Sequence, residues 1–430
     1  LKLNKWIAAG AVLLVGAGAA PWGVGYMTEQ QWLQATEEVN GAQPFVRVNT
    51  GEYDRGVLGA ETSGSVTITD PATGESHEIE FKATVTHGLT GSLMDFKPRN
   101  GWQPEGADWY PEDQPRLTLE TRLWGTATLE FNAPVMEVTN PDSGEIFRTS
   151  GGLAKLDVGS MGEQADLLMV WPEVALIGPQ ADVIVRGLEL EQEMAWLSGD
   201  VWTGSGSMKL DNVSLQSPET PPIVIDGMIL TSSSEASNEG RDLDSEAALK
   251  LESVTVDGAS YGPHRLSLFL NGLDVASWNT FSDTMTELQV LQLQDELDSR
   301  EVFQQQMQLM QQMTQSVQNM VGAGFSAGIR ELNVSTAEGT IEGDLELAHP
   351  RLSDTERQQM LMVMQRLTGS LSFSLPVALA EQYPEIRMQV APLVKQGFFV
   401  QEGDRLVMRG QLQDMVLNIN DVALPLPPLM

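Results

Sequence analysis

Residues 116–131 read RLTLETRLWGTATLEF, and this stretch decides the fold class. Leu117, Leu119, Thr121, Leu123, Gly125, Ala127, Leu129 and Phe131 occupy alternate positions. Thr118, Glu120, Arg122, Thr126, Thr128 and Glu130 fall between them, with Trp124 the one apolar exception. Successive side chains of a β-strand project to opposite faces, so this period of two describes a half-buried strand. The length of the run, with Gly125 near its middle, predicts one long strand bent at the glycine within a large sheet.

The same period recurs on both sides. Val66 and Ile68 precede the turn residues Asp70-Pro71-Ala72-Thr73-Gly74, and Ile79, Phe81, Ala83 and Val85 alternate after it. Residues 66–86 therefore read as a β-hairpin. Further strands centre on 153–158, 166–169, 181–190, 200–215, 223–230, 247–256 and 263–273. A polar, acidic insertion at 232–246 reads as a loop or hairpin tip. No helical segment separates these strands, which favours antiparallel pairing over βαβ units.

Composition changes at Trp278. From there to Val321 Gly and Pro are almost absent, and Gln and Met dominate. Thr284 with Glu287 resembles a capping box. Phe303, Met307, Met310, Met313, Val317 and Met320 form an apolar stripe at helical spacing. Methionine adapts its shape to what it touches, so the stripe is either core packed on the sheet or a surface for an apolar ligand or partner. Strands return at 329–334 and 340–347, and Ser353 with Glu356 forms a second capping-box pattern. A helix is expected over Pro384 to Lys395, and closing strands over 406–412 and 416–420.

The amino end is apolar. Lys2 and Lys5 precede an uncharged stretch from Trp6 to Thr28, long enough to cross a bilayer. The charge asymmetry places the amino terminus in the cytoplasm. Trp6, Leu13, Leu14, Trp22 and Tyr26 are the expected anchor residues, Trp22 and Tyr26 at the far interface. Ala17-Gly18-Ala19 offers the alternative of a cleaved signal peptide. Both readings export the body, and the first makes it a single-pass inner-membrane protein with a periplasmic C-terminal body.

The expected fold is a β-rich α+β class: a large curved antiparallel sheet with a few packed helices and an N-terminal transmembrane helix. Its expected divisions are 1–27 (anchor or signal), 28–275 (β-rich), 276–325 (Gln/Met-rich helical) and 326–430 (α+β).

The chain has 430 residues, 59 of them acidic against 25 Lys and Arg, for a net charge of −34. Such an excess opposes contact with nucleic acid and suits a surface adapted to high salt. There is no cysteine, hence no disulfide and no thiolate chemistry. His77, His87, His264 and His349 are dispersed and read as surface or turn residues. Trp102, Trp109 and Tyr110 with Glu105, Asp108 and Glu112 form the one aromatic-acid cluster, which a glycan-cleaving site would require. Gly204-Ser205-Gly206-Ser207 lacks the pattern of a nucleophile elbow. No catalytic residue, metal site or cofactor is expected.

The two ends together resemble one family. The amino end carries Pro21, Gly25, Trp32 and then Tyr53-Asp54-Arg55-Gly56-Val57-Leu58. The carboxyl end carries Gly397-Phe398-Phe399, Gly403-Asp404, residues 405–410, Met415-Val416-Leu417-Asn418-Ile419-Asn420 and Leu424-Pro425-Leu426. In these motifs and in layout the chain resembles the YdgA-like family of Gram-negative bacteria, a domain of unknown function. The resemblance implies an inner-membrane anchor and a large periplasmic body, and brings no catalytic residues. One departure is that the family's last strand is followed by Asn-Gly, whereas Asn420 is followed here by Asp421, so a tight turn is not required.

The expected function is thus non-enzymatic. A curved sheet covered by few helices leaves apolar surface for a lipid or an envelope protein partner. The alternatives are a homo-oligomeric envelope scaffold and, more remotely, a cell-wall glycan-acting enzyme.

Overall fold

The structure is a computed structural model, described here over residues 24–37, 40, 45–70, 75–159, 162–292, 299–357 and 365–426. Most of these residues lie in open antiparallel sheet. The chain divides into two compact units, 1–174 and 175–430.

The first unit is a meander. Strands β1 (Val46–Arg55), β2 (Gly59–Thr69), β3 (Ser76–His87), β4 (Gly91–Pro98), β5 (Arg116–Arg122) and β6 (Ala127–Ala133) pair each with the next. The hairpin β7 (Met136–Thr139) and β8 (Ile146–Thr149) is followed by β9 (Gly152–Val158), which returns to pair with β6. Strand β10 (Gln164–Ile177) then pairs with β9. The expected hairpin at 66–86 is β2–β3, in which Val66 faces Ile79.

The stretch at 116–131 is two strands, not one bent strand. Gly125, at φ +83°, lets the chain reverse between β5 and β6, and the Arg122 N–H donates to the Thr126 carbonyl at 2.9 Å. Only glycine takes up that backbone angle without steric cost. The register pairs Leu117 with Phe131, Leu119 with Leu129 and Thr121 with Ala127. Odd positions therefore face odd positions across the turn, and the alternation runs through the reversal unbroken. Trp124, the exception to the pattern, is 58% exposed at the tip.

One face of this sheet is the core of the unit. Phe81, Ala83, Val85, Met94 and Phe96 are buried on it, with Leu117 and Leu119 packed against them. The first helix, α1 (24–37), covers this face. Its Trp32 lies edge-on to Phe81 at 6.2 Å between ring centroids and 5.6 Å from Phe96.

This helix corrects the expected anchor. Trp6, Leu13, Leu14 and Trp22 lie outside the described residues. Val24 and Thr28, the last part of the expected span, are buried against protein. The Thr28 hydroxyl, read from sequence as lying in the span, donates to Ser92 Oγ at 2.8 Å. Tyr26 is exposed, with the Arg55 guanidinium 5.4 Å from its ring. Among the described residues no helix is long and apolar enough to cross a membrane. The transmembrane helix in the expected fold class, the inner-membrane contact through it and the single-pass placement with a periplasmic body are therefore not supported.

The second unit continues the antiparallel pattern. Strands β11 (Asp182–Ser198), β12 (Val201–Gln216) and β13 (Ile223–Ser237) pair in order. Two shorter strands, β14 (Asp242–Leu251) and β15 (Ser253–Val256), share β13, and β16 (Ala259–Tyr261) pairs with β15. The polar stretch 232–246 forms the paired arms of the β13–β14 hairpin, with Ser237 opposite Asp242. Next come β17 (His264–Asp274), β18 (Phe325–Thr336), β19 (Gly339–His349) and β20 (Thr368–Pro376), again paired in sequence after β14. The sheet ends with β21 (Val400–Glu402), β22 (Arg405–Gln413), β23 (Val416–Ile419) and β24 (Val422–Pro425).

Among the described residues, α-helical segments interrupt this unit in three places, the shortest, Asp354–Arg357, between β19 and β20. Between β17 and β18 stand α2 (Val275–Gln292) and α3 (Ser299–Ala323). Thr284 lies inside α2, its hydroxyl bonded to the Thr280 carbonyl at 2.7 Å, so it is not the cap expected from Glu287. Between β20 and β21 stand α4 (Val377–Gln382) and α5 (Pro384–Lys395). They cover one end of the sheet, where Leu375, Leu379, Val390, Phe399 and Leu406 are buried together. Half of the expected Ser353–Glu356 capping box forms: Ser353 N donates to Glu356 Oε2 at 3.0 Å, but the Ser353 hydroxyl donates to that same oxygen at 2.6 Å, and the Glu356 N–H goes to the Ser353 carbonyl at 3.0 Å.

Candidate ligand-binding site

Beyond the edge of α4 and α5 the described residues leave part of the sheet face open. Here lies a cavity of about 640 Å³, within the ~300–1,000 Å³ range of small-molecule sites. Its floor follows from strand register. Leu249 on β14 faces Leu266 on β17, which faces Leu332 on β18; one step along, Leu251, His264 and Val334 line up likewise. Val254 and Val256 extend the floor onto β15. Each strand contributes every second residue, so its apolar positions converge on one face.

The far wall is helical: Leu379 from α4, Ile386 from α5 and Tyr383 between them. Pro384 is the first residue of α5, and a residue before proline is pushed out of the helical region. Tyr383 accordingly has φ −107° and ψ 110°, which ends α4 and makes a corner. At that corner the Tyr383 hydroxyl donates to Glu338 Oε1 at 3.2 Å.

Glu338 belongs to the turn joining β18 and β19. The next residue, Gly339, has φ +131°, and a Cβ there would stand 2.9 Å from Pro376 Cγ. The turn thus packs against the start of α4 in a way that a side chain at 339 would obstruct.

Polar residues also border the largely apolar cavity: Tyr261, His264, Glu338 and Tyr383 near the helical corner or the floor, with Arg265, Ser335 and Thr336 beside them. Burial, then the charge and hydrogen bond of Glu338 and the neighbouring Tyr261 phenol, push the Tyr383 hydroxyl above its usual range. Tyr383 therefore stays protonated and remains a donor. Glu338 Oε2 and His264 Nδ1 are buried without a hydrogen-bond partner among the described residues. Both atoms have almost no accessible surface, so they are enclosed by the packing beside the cavity and do not face its open space.

The stripe on α3 lies elsewhere. Leu309 is buried with Leu288 and Leu291 of α2, and Met313 packs on them. Phe303, Met307, Met310 and Val317 are exposed, Phe303 at 62%, and Met320 is partly buried. Most of the stripe thus faces away from the seam between α2 and α3. Met307 and Met310 border a shallow groove of about 390 Å³ with glutamines and Thr314.

The histidines differ from expectation. His87 and His349 are buried and His264 lines the cavity, so three of the four are not plain surface residues. His87 Nδ1 is 2.9 Å from Ser92 Oγ, a distance at which a nucleophile and its base could meet. This pair is enclosed beneath α1: Ser92 also contacts Thr28, and Gly25 lies against the His87 ring. Burial, then the Arg55 charge, lower the pKa of His87, so it is held neutral within a packed polar cluster. The aromatic-acid cluster is also split. Trp102 packs toward Phe131 at 6.3 Å and Trp109 is fixed by backbone bonds, whereas Glu105, Asp108 and Glu112 are exposed. Among the described residues no group of His, Asp and Glu is placed to hold a metal ion.

The terminal motifs act as clasps on the covering helices. Arg55 Nη1 meets Glu29 Oε2 of α1 at 2.8 Å, and Tyr53 packs on the core beneath. Asn420 Nδ2 donates to the carbonyls of Phe398 and Val407, both at 2.8 Å, while its Oδ1 accepts from the Arg409 N–H at 3.1 Å. This holds Phe399 in the cluster under α4 and α5. The last hairpin is a two-residue turn after all: Ile419 faces Val422, and Asn420 and Asp421 have φ +42° and +71°. Asp is among the residues that tolerate this left-handed conformation, so glycine is not needed for the turn to form.

A family model described as bacterial protein of unknown function (DUF945) matches residues 3–427. No curated protein matches the chain. No solved structure matches it.

Proposed function

The chain belongs to the DUF945 family of bacterial proteins, and on that premise we propose that it is a non-enzymatic binding protein whose second unit holds an apolar small molecule. The observation that carries this reading is the cavity over β14, β15, β17 and β18, apolar along its floor and walled by α4 and α5. A domain normally covers the apolar face of its sheet, because exposed apolar area costs about 25 cal/mol per Å². Here the cover supplied by the described residues stops short and the remaining surface is concave. The resemblance of the terminal motifs to the YdgA-like proteins is a finer reading within the same family.

The test is binding of N-phenyl-1-naphthylamine, a probe that fluoresces in apolar surroundings, to the purified full chain. Saturable binding that Leu266→Trp abolishes supports the reading, since the indole would fill the floor. Near-ultraviolet circular dichroism confirms that the variant remains folded. Binding unaffected by that substitution in a folded protein overturns the reading.

A further inference from the structure

Helix α3 carries two seams. One is occupied: Leu309 and Met313 pack on Leu288 and Leu291 of α2. The other runs through Phe303, Met307, Met310, Thr314, Val317 and Val321, at alternating steps of four and three. That is the spacing of coiled-coil core positions. The first five are exposed and Val321 is half-buried, so the described residues leave this seam open. Thr314 is its one polar member, and the Thr314 hydroxyl already donates to the Met310 carbonyl at 2.8 Å. It can enter an apolar contact without leaving a polar group unmet.

The edges of the seam say what fits it. The chain is 20% charged, yet no Asp, Glu, Lys, Arg or His lies between Glu301 and Arg330. Gln304, Gln311 and Gln318 each stand one residue beyond a seam position and line its edge. Charges at such edges choose the partner of a coiled coil, and here there are none. A helix that lies on a membrane carries Lys and Arg on its polar face, which this stretch lacks. A primary amide both donates and accepts, so a row of glutamines matches an identical row. Two copies at −34 each repel wherever acidic faces meet, and this face escapes that repulsion.

Side-chain size sets the orientation. Phe303, Met307 and Met310, the large members, occupy the first half of the seam, and Thr314, Val317 and Val321 the second. An antiparallel pair centred on Gln312 sets Phe303 against the partner's Val321, Met307 against the partner's Val317 and Met310 against the partner's Thr314. Each layer then holds one large and one small residue, the alternation by which facing side chains interdigitate. A parallel pair would stack large on large at one end and small on small at the other. The last turn of α3 is also the end held to the rest of the unit, where the Leu352 N–H donates to the Gly322 carbonyl at 2.9 Å and Arg351 Nε to the Ala323 carbonyl at 2.7 Å. Opposed copies place these two ends about 27 Å apart, the rise from Phe303 to Val321, which is about three Debye lengths at physiological salt.

We propose that two copies of this chain associate through α3 as an antiparallel pair with its two-fold axis at Gln312. The seam is shorter than three heptads, so the association is weak and in dilute protein the stripe is bare. This inference does not depend on the cavity.

Sedimentation velocity of the full chain from about 1 to 300 µM tests it, since a weak contact fills across that range. The sedimentation coefficient should rise from the monomer value to that of a dimer. Met310→Glu sets an unpaired charge in the seam and should weaken association at least about tenfold, with near-ultraviolet circular dichroism unchanged. The chain has no cysteine, so Met307→Cys and Val317→Cys each give a single reactive thiol. A short bis-maleimide should join these two variants to each other at least about fivefold more than either to itself, because the antiparallel register brings them side by side. This comparison decides the matter alone if Met310→Glu does not fold. A monomer throughout the range overturns the inference, as does a dimer indifferent to a folded Met310→Glu, or Met307→Cys joined preferentially to itself. A Met307→Cys thiol inert to maleimide in dilute folded protein shows that the chain covers its own stripe, and overturns it too. Flotation of dilute protein with phosphatidylcholine vesicles, lost in Met310→Glu, assigns the stripe to lipid and has the same consequence.

Discussion

The Tyr383 hydroxyl donates to Glu338 Oε1 across 3.2 Å, joining the corner of two helices to the turn of the β-hairpin they cover. It ties the helical wall of the cavity to the strand side. Tyr383→Phe keeps the ring and removes the donor, leaving Glu338 with both oxygens unsatisfied at neutral pH. The expected outcome is a lower urea midpoint than wild type. The gap has a pH dependence. The folded state raises the Tyr383 pKa, so its contribution is full below pH 10, the unfolded value, and is lost as pH rises through the folded value. The midpoints of wild type and Tyr383→Phe should therefore converge above pH 10. A constant gap across that range would show that the bond does not persist in solution.

A second tyrosine gives a sharper pH window. Burial, then the Glu29 carboxylate, push Tyr53 from 10.0 to about 12, against an opposing pull from Arg55. Its hydroxyl is buried without a partner, so ionisation in place is unfavourable. Unfolded chains release this proton near pH 10 and folded ones near pH 12, so stability from this residue is present below 10 and falls between the two. The loss is at most ~2–3 kcal/mol at one pKa unit per ~1.4 kcal/mol, less for partial exposure to solvent. Tyr53→Phe should flatten the fall between pH 10 and 12 while leaving stability near pH 7 unchanged or raised. Chemical denaturation at a series of pH values measures both.

Gly339 offers a test of the turn that carries Glu338. Any side chain there meets Pro376 and must adopt φ +131°, a strained backbone state costing about 1–3 kcal/mol. Gly339→Ala should lose stability on that scale and weaken probe binding, because the turn and the helical corner would separate. Equal stability of the variant and wild type in urea would show that the turn relaxes freely.

These relationships also show what can be read from sequence. Strand periodicity survives any turn that keeps odd positions opposite odd ones, so 116–131 reveals β structure but hides its reversal at Gly125. Apolar alternation likewise shows that Leu249, Leu251, Leu266, Leu332 and Val334 face inward on their strands. It does not show that the helices after β20 stop short of them. The candidate polar group is harder still. His264, Glu338 and Tyr383 come from a strand start, a turn and a helix corner, and only register and packing bring them to one cavity. The single local signal is Tyr383-Pro384, which predicts a break in the helix but not what the phenol meets. The amino end shows the opposite error: a long uncharged run fits a bilayer by composition, yet Val24 and Thr28 within it are buried by a sheet whose contacts a hydropathy window does not contain.

The α3 stripe separates apolar residues that support the fold from those that do not. Leu309 is buried between α2 and α3, whereas Met307 and Met310 are about half exposed. Leu309→Ala should cost ~2–5 kcal/mol, the range for a buried large-to-small change. Met307→Gln and Met310→Gln should each stay within about 0.5 kcal/mol of wild type, as surface substitutions do. Thermal and urea melts of the three variants decide the matter. A large loss in both methionine variants would mean that the stripe is covered in solution.

Asp421 provides the last test, in the two-residue turn that closes the final hairpin. Asn420 and Asp421 both hold positive φ in the two-residue turn between β23 and β24. Asn420 is committed there by its bonds to Phe398, Val407 and Arg409. Asp421 makes no side-chain hydrogen bond or ion pair among the described contacts, and it pays the steric cost of φ +71°. Glycine at this position relieves that strain, although it also gives the unfolded chain more freedom. Strain in the left-handed region is worth roughly 1–2 kcal/mol for a residue with a Cβ, and aspartate lies at the low end. Asp421→Gly should therefore raise stability slightly, by about 0.5 kcal/mol. Asp421→Val, whose branched side chain is far less tolerant of positive φ, should lower it by more than the glycine raises it. Asn420→Ala should be the most damaging of the three, because it leaves the Phe398 and Val407 carbonyls and the Arg409 N–H without their partner. If Asp421→Gly instead weakens the protein as much as Asn420→Ala does, strain at 421 is not what governs this turn.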